Sequence, residues 1–259
     1  MDFIGVVPAA GKGKRISDLR YSRILPKVLL PINHVPIIEF SIKNLIKLGI
    51  KKIYIIIDDS PKGELIKNYF EDYNDFNIKI EFILQKYYRG IAGAIYHLKN
   101  VIQQPFITIL GDDITISDNI SNILTYFYEK HCIAVEAVVY EKDIFSIKQS
   151  CSVMFDKNGL VKSIIEKPDN PKESYRGIGI YVLDPIIFNY ISKLISEMSD
   201  LTREIGITEV LDMVSKDKGF YAFEIDGVNI NVNTLQDLRK AQNILKNYEN
   251  KLGRDHLYD

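Results

Sequence analysis

The segment FIGVVPAAGKGKR (residues 3–15) joins a short apolar run to a loop rich in glycine and lysine. The run from Phe3 to Val7 is continuous and contains β-branched residues, which predicts a buried strand. In the loop that follows, Pro8 to Arg15, small residues let backbone amides approach an anion closely, and basic side chains add charge. The segment therefore predicts a strand followed by a candidate phosphate-binding loop.

The sequence beyond this loop alternates between helical and strand patterns. Apolar residues at helical spacing from Pro36 to Leu48 precede Gly49, a typical helix C-cap. KIYIII (52–57) predicts a second buried strand. Further helices are predicted at about 62–69 and 90–99, and further strands at 78–84 and 106–110. This alternation predicts an α/β, Rossmann-like fold whose mostly parallel central sheet is flanked by helices.

The second half of the chain has a more mixed pattern. Strands are predicted at 133–140, 152–155, 161–166 and 177–183, and helices at 184–197, 207–215 and 234–247. No low-complexity linker separates the two halves. We therefore predict a single domain over 1–250 with a tail at 251–259, in which a substrate-binding portion is built onto the sheet from about residue 131.

Composition limits the function classes. The 33 basic and 34 acidic residues give a formal net charge of -1, which argues against a nucleic-acid partner. No apolar run is long enough to span a bilayer, and the N-terminus does not resemble a signal peptide. Two cysteines favour a reducing cytoplasm over a disulfide framework. The four histidines are scattered without ligand spacing, which disfavours a zinc site.

The glycine-rich loop matches neither of two standard phosphate-binding patterns. Five residues separate Gly5 from Gly11, and Gly13 follows Lys12, so the Walker A pattern fails. The dinucleotide fingerprint lacks its third glycine, because Ile16 stands there, and this disfavours a dinucleotide-dependent oxidoreductase. Taken alone, the loop supports phosphate binding and an ordinary turn about equally.

Seven segments in order, over roughly residues 4–238, resemble the sugar-1-phosphate nucleotidylyltransferase family. They are G-x-G-x-R followed by P-K and L-x-P-I (11–32), Gln85 with GIAGA (90–94), LGDD (110–113), EKP (166–168), GIY (179–181), ITE (207–209) and NVNT with DL (231–238). The resemblance implies transfer of a nucleotidyl group from a nucleoside triphosphate to a sugar 1-phosphate. It also implies a nucleotide-binding part at about 1–130 and a sugar-phosphate-binding part at about 131–250.

The resemblance implies catalytic roles for four residues. Arg15 would hold the leaving pyrophosphate with its planar guanidinium, and Lys27 would place a positive charge near the α-phosphate. Asp112 is the best Mg²⁺ ligand, whereas Asp113 is a weaker candidate that instead caps a turn. The second carboxylate of the family's metal site falls on Asn231, whose amide oxygen can ligate Mg²⁺ but brings no charge.

The remaining site residues also follow from the resemblance. Nucleotide contacts would come from the loop residues Ala9, Ala10, Gly11, Gly13 and Lys14, and from Gln85 and Gly90 at the base. Acceptor contacts would come from Glu166, Lys167, Gly177 and Ser152. Lys14 stands where the family commonly has Thr, and Ser152 where it commonly has Gly. Lys167 would hold the sugar phosphate and is the fourth catalytic candidate.

The substrates remain open at this point. UTP and dTTP are favoured equally, with glucose 1-phosphate as acceptor, and a cytidylyl- or guanylyltransferase is the alternative within the class. A non-catalytic sensor of nucleotides or sugar phosphates on the same fold is the alternative from another class, and Lys14, Ser152 and Asn231 favour it. The family resemblance allows a homo-oligomer, although the sequence gives no direct sign of one.

Overall fold

The computed structural model describes residues 3–11, 24–71, 78–87, 90–200 and 202–252. Within these ranges the strands β1–β13 are Ile4–Pro8, Pro31–Ile32, Val35–Pro36, Lys52–Asp58, Lys79–Gln85, Phe106–Ile109, Asp113–Ile116, Ala134–Tyr140, Cys151–Phe155, Val161–Glu166, Tyr175–Leu183, Phe220–Glu224 and Val228–Asn231. The helices α1–α8 are Ile37–Lys47, Pro61–Glu71, Ile91–Tyr96, Ile123–Lys130, Ile144–Lys148, Ile187–Glu197, Ile207–Lys216 and Leu235–Leu252. None of these helices combines the length and the apolar character needed to cross a membrane.

The first half of the chain forms a parallel sheet. β1 lies between β4 and β6, and β5 pairs with the outer side of β4, all in parallel. Residues of β1, β4 and β6 are almost entirely buried, as their β-branched composition predicts, because helices cover both faces. The predicted fold class is confirmed for this half of the molecule.

The second half extends the same sheet with strands of both directions. β11 pairs antiparallel with β6, and the main sheet runs in the order β10-β9-β11-β6-β1-β4-β5. β8 also pairs with β11, and β12 pairs with β8. The nine-residue strand β11 therefore joins the strands of the second half to those of the first.

Helices pack on both faces of the sheet, and each face has its own hydrophobic core. Apolar side chains of α3, α6 and α7 fill one core, and those of α1, α2 and α4 fill the other. A smaller cluster joins α1 and α8 to β7 and β13. The result is a three-layer arrangement in which loops at the strand ends leave polar groups open to a ligand.

The sequence analysis predicted no strand at the positions of β7 and β13. Asp113 begins β7, which pairs antiparallel with β13 in a separate two-stranded sheet. The free side of β7 lies against α1, where Ser41 donates to Leu110 O (2.7 Å), Asn44 to Thr115 O (3.0 Å) and Lys47 to Ser117 O (2.9 Å). Asn44 and Lys47 thus satisfy carbonyl groups of β7 and of the residue that follows it, whereas Leu110 O also accepts from Asp113 N–H (3.2 Å). Helix α8 also extends two residues into the predicted tail.

Gly179 allows β11 and β7 to approach closely. Its backbone N–H donates to Asp113 Oδ2 over 2.8 Å. A Cβ at position 179 would overlap that carboxylate oxygen and lie 2.7 Å from the side chain of Leu110. A glycine is therefore required at this point of the central strand.

We expect Gly179→Ala to lower the free energy of unfolding by about 1–3 kcal/mol, the range for overpacked cores, because the added methyl group displaces Asp113. Urea denaturation of both proteins measures the change. Gly206→Ala is the matched control, since the nearest atom to a Cβ there lies at 3.8 Å, and it should cost far less. Equal losses in the two variants would contradict this account of Gly179.

Candidate active site

The start of the glycine-rich loop lies beside the loop that follows β6. Ala9 N–H donates to Ile56 O (2.8 Å), and Gly111 N–H donates to Pro8 O (3.2 Å). Ala9 is buried, whereas a Cβ at Gly11 would meet no described atom within 4 Å. The described part of the loop thus leaves open space beside Gly11. The predicted contacts of Gly13, Lys14 and Arg15 lie outside the described residues, as does Lys12.

Three predicted residues meet at this end of the sheet. The Lys27 ammonium forms an ion pair with Asp112, in which the two side chains are 10% and 24% exposed. Lys27 Nζ also donates to Asn233 Oδ1 (3.1 Å), and Asn233 Nδ2 donates to Asn231 Oδ1 (2.6 Å). Lys27, Asp112 and Asn231 therefore form one continuous polar cluster with Asn233, a residue that the sequence analysis did not assign.

The pairing of β7 with β13 brings this cluster together. Asn231 lies opposite Asp113 in the two-stranded sheet, and Val232 N–H donates to Asp112 O (3.0 Å). Lys27 reaches the same point from a 3-10 turn at Lys27–Leu29. Three segments far apart in the sequence thus contribute the carboxylate, the amide oxygen and the ammonium.

Asp113 does not cap a turn, which corrects that prediction. It is buried, and its carboxylate accepts from Gly179 N–H (2.8 Å) and from Asn229 Nδ2 (3.3 Å). Arg176 donates to Asn229 Oδ1 (2.8 Å) and to Glu141 Oε2 (3.2 Å) behind it. Burial raises the pKa of Asp113 to about 7, with the Asp112 charge adding to the rise and Asn229, Arg176 and Gly179 opposing it. Asp113 therefore has a structural role, and Asp112 is the more exposed of the two carboxylates.

A second group of predicted residues lies at the end of β10. Glu166 Oε2 accepts a hydrogen bond from Thr208 Oγ1 (2.8 Å), near the N-terminus of α7. Lys167 has a left-handed backbone (φ 44°), and its ammonium lies 3.4 Å from Glu166 Oε1. Both side chains are about half exposed. They are accessible to an anionic ligand, and the helix dipole of α7 favours the negative charge of Glu166.

The strand register separates Ser152 from Glu166. Glu166 lies opposite Cys151, and Cys151 lies opposite Gly177, so these three positions share one face of the sheet. Ser152 follows Cys151 on β9, and side chains along a strand alternate between the two faces of the sheet. The Ser152 side chain therefore projects to the opposite face from Cys151. The structure therefore places Cys151, rather than Ser152, next to Glu166.

Glu136 fills the space above Gly177. A Cβ at position 177 would overlap Glu136 Oε1 and Cys151 Sγ, so glycine is needed for packing. Glu136 is completely buried, Cys151 Sγ donates to its Oε1 (3.5 Å), and its Oε2 has no hydrogen-bond partner among the described residues. Burial raises the pKa of Glu136 to about 8, and the Glu166 charge contributes. The sequence analysis missed this residue.

Strand β11 contacts neighbours of both groups, although Glu166 itself lies two strands away on β10. Gly179 contacts Asp113, next to Asp112, and Gly177 lies beside Cys151 and Glu136. These glycines are two strand residues apart, which corresponds to about 7 Å. The residues predicted for the two substrates therefore border one region of the sheet.

Gln85 and Gly90 flank the loop after β5. Gln85 ends that strand, and Gly90 has a backbone conformation (φ 85°) that L-residues rarely adopt. A Cβ at Gly90 would overlap Ile205 O, and Ala92 N–H donates to the same carbonyl (3.1 Å). Backbone conformation and packing thus explain why position 90 is a glycine. The predicted contact of Gly90 with a nucleobase stays a prediction.

The donors near Asp112 suit a hydrated divalent cation. Magnesium binds through one or two carboxylates together with waters and substrate phosphates. Asp112 supplies one carboxylate and Asn231 an amide oxygen, and Gly111, the neighbour of Asp112, bonds to Pro8 at the start of the glycine-rich loop. Within the described ranges no group of three or more His, Cys, Asp and Glu side chains could hold a metal alone. The arrangement fits a cation that arrives with a phosphate ligand.

Several known proteins have sequences similar to that of this chain. A family model described as "Nucleotidyl transferase" matches residues 4–254. The nucleotidyltransferase Agl11 of low-salt glycan biosynthesis in Haloferax volcanii is 27% identical over 82% of this chain and 57% of its own. The UTP–glucose-1-phosphate uridylyltransferase of Mycoplasma genitalium is 27% identical over 91% of this chain and 89% of its own.

A solved structure shares the fold. A Bacillus anthracis chain assigned as a glucose-1-phosphate thymidylyltransferase superposes with a TM-score of 0.81 and 24% identity, covering 93% of this chain and 94% of that one. The chain spans a little over half the length of the first curated relatives that it matches.

We expect Glu136→Gln to remove a pH-dependent loss of stability. The folded protein holds the Glu136 proton up to a pKa of about 8, whereas the ordinary pKa of a glutamate is 4.5, so unfolding releases a proton between these values. The free energy of unfolding therefore falls by about 1.4 kcal/mol for each pH unit through that window. Gln cannot ionise, so the variant does not lose this stability. The melting temperature of the variant minus that of the wild type should therefore increase from pH 5 to pH 8.

Thermal unfolding at several pH values measures this difference. The exposed Glu129 side chain provides the control, since Glu129→Gln should leave the pH dependence unchanged. A difference between Glu136→Gln and wild type that stays constant with pH would contradict the assigned protonation.

Proposed function

The chain belongs to the nucleotidyl transferase family, and we propose that it transfers a nucleotidyl group from a nucleoside triphosphate to a sugar 1-phosphate, releasing pyrophosphate. The observation that carries this proposal is the meeting of Lys27, Asp112 and Asn231 beside the glycine-rich loop. A second set, Glu166 and Lys167, lies at the end of β10, two strands across the sheet from Gly177 of β11. One set would bind the triphosphate and the other the sugar phosphate, as a reaction between two anionic substrates requires.

The chemistry assigned to this chain is positioning and charge stabilisation. An oxygen of the sugar phosphate attacks the α-phosphorus, the bond to the bridging oxygen breaks, and pyrophosphate leaves in line. Lys27 supplies positive charge to the phosphates, which offsets the repulsion between the two anions. Arg15 and the loop residues through Lys14 are proposed pyrophosphate and phosphate ligands on the sequence resemblance.

A divalent cation, with Mg²⁺ as the proposed ion, would be held by Asp112 and Asn231. Such an ion neutralises phosphate charge when it is bound. The Asn231 amide oxygen carries no negative charge. The two proposed protein ligands, Asp112 and Asn231, therefore contribute a single negative charge to the ion. This asymmetry is consistent with an ion that is held largely by the nucleotide itself.

The acceptor is proposed to be a hexose 1-phosphate, with glucose 1-phosphate favoured. Lys167 would bind its phosphate, and Glu166 would accept hydrogen bonds from sugar hydroxyls. UTP and dTTP are proposed equally as donors, since relatives named for uridylyl and thymidylyl transfer both match this chain. Two buried free thiols support a reducing, cytoplasmic location, and the near-neutral charge supports the absence of a nucleic-acid partner.

A panel assay tests this function. The protein, with Mg²⁺, is incubated with each of UTP, dTTP, CTP, GTP and ATP against several sugar 1-phosphates, and pyrophosphate release is measured. Release from a UTP or dTTP pair is expected. No release from any pair by the folded protein would favour the non-catalytic sensor, a second candidate that the uncharged Asn231 supports.

Lys27→Met and Asp112→Asn should each lower turnover about 10²–10³-fold, the range for removal of one preorganised charge-stabilising group. Lys47→Met is the matched control, because the Lys47 ammonium donates to the backbone carbonyl of Ser117, which lies past the other end of β7 from Asp112. Its turnover should remain near that of the wild type. Unchanged turnover in Lys27→Met would disprove the role of that ammonium.

A further inference from the structure

Asn233 lies between two groups of the candidate site. Its Oδ1 accepts from Lys27 Nζ (3.1 Å), and its Nδ2 donates to Asn231 Oδ1 (2.6 Å). An ammonium can only donate, so the amide atom that faces Lys27 must be the oxygen. The orientation of Asn233 is therefore fixed by chemistry, with its NH₂ group toward Asn231.

The backbone at this position is held independently of the side chain. Asn233 N–H donates to Asp237 Oδ2 (3.0 Å), and so does Thr234 N–H (2.8 Å). Asp237 N–H in turn donates to Thr234 Oγ1 (3.2 Å), which completes a capping box at the start of α8. The turn is thus held by Thr234 and Asp237, and the two side-chain bonds of Asn233 serve the cluster.

The Lys27 ammonium is shared between a carboxylate and a neutral amide. A divalent cation bound by Asp112 competes with the ammonium for the same negative charge. The Lys27 side chain is only 10% exposed, so an ammonium that leaves Asp112 needs another acceptor close by. Asn233 Oδ1 is already in contact and provides it.

We propose that Asn233 is a positioning residue that keeps the Lys27 ammonium in the cleft when a divalent cation takes over the carboxylate of Asp112. This inference rests on the proposed function only in placing a cation at Asp112. A neutral amide holds the ammonium without cancelling its charge. Lys27 thereby remains both in place and available to phosphate.

Binding of Mn²⁺ alone, without nucleotide or sugar, tests the inference. Calorimetric titration is carried out on the wild type, Asn233→Ala, Lys27→Met and the double variant. Asn233→Ala should weaken Mn²⁺ binding roughly tenfold to a hundredfold, as expected for loss of one hydrogen bond from an ammonium. In the Lys27→Met background the same substitution should weaken binding far less, because no ammonium has to be relocated and only the bond to Asn231 is lost.

Asn44→Ala is the matched control, since it deletes a structural amide that bonds β7 outside the cluster, and it should leave Mn²⁺ affinity unchanged. Equal weakening by Asn233→Ala in both backgrounds would overturn the inference, because Asn233 would then be a ligand or a structural residue. No weakening in the wild-type background would also overturn it. A wild type that binds no Mn²⁺ would overturn it too, whereas pyrophosphate release in the panel assay would still support the proposed function.

Discussion

The hydrogen bond from Gly179 N–H to the Asp113 carboxylate is the contact on which the site depends. It fixes the first residue of β7 against the central strand of the main sheet. Asp113 is buried, and Asp112, one residue earlier, pairs with Lys27 in the polar cluster. The pairing of β7 with β13 then brings Asn231 and Asn233 to the same cluster. One backbone contact in the middle of the sheet thus determines where the open carboxylate lies.

Two adjacent carboxyl groups are separated in function by their surroundings. Asp113 is enclosed by fixed donors, with the Arg176 guanidinium behind Asn229. Asp112 is balanced by the Lys27 ammonium, which an incoming cation can replace. A side chain already satisfied by rigid neighbours gains little from a metal, whereas one paired with a flexible lysine can exchange partners. The division of labour follows from burial and from partner chemistry.

Local sequence signals predicted the parallel strands and most helices, because runs such as KIYIII carry their burial pattern within a few residues. They could not predict β7 and β13, each four residues long, whose pairing depends on a distant partner. The family resemblance pointed to Lys27, Asp112 and Asn231, which the structure brings together. Asn233 escaped notice because its contact with Lys27 spans 206 residues. Ser152 was grouped with Glu166 because strand register, which sets the face of each side chain, is invisible in one sequence.

The polar side chains that α1 extends to β7 have a consequence for association between molecules. A strand that pairs on one side only usually offers a row of open carbonyl and amide groups, which another chain can extend into a larger sheet. Here Asn44 and Lys47 engage carbonyl groups along that side. The margin next to the candidate site is therefore closed to strand addition, and a short strand can lie there without promoting aggregation.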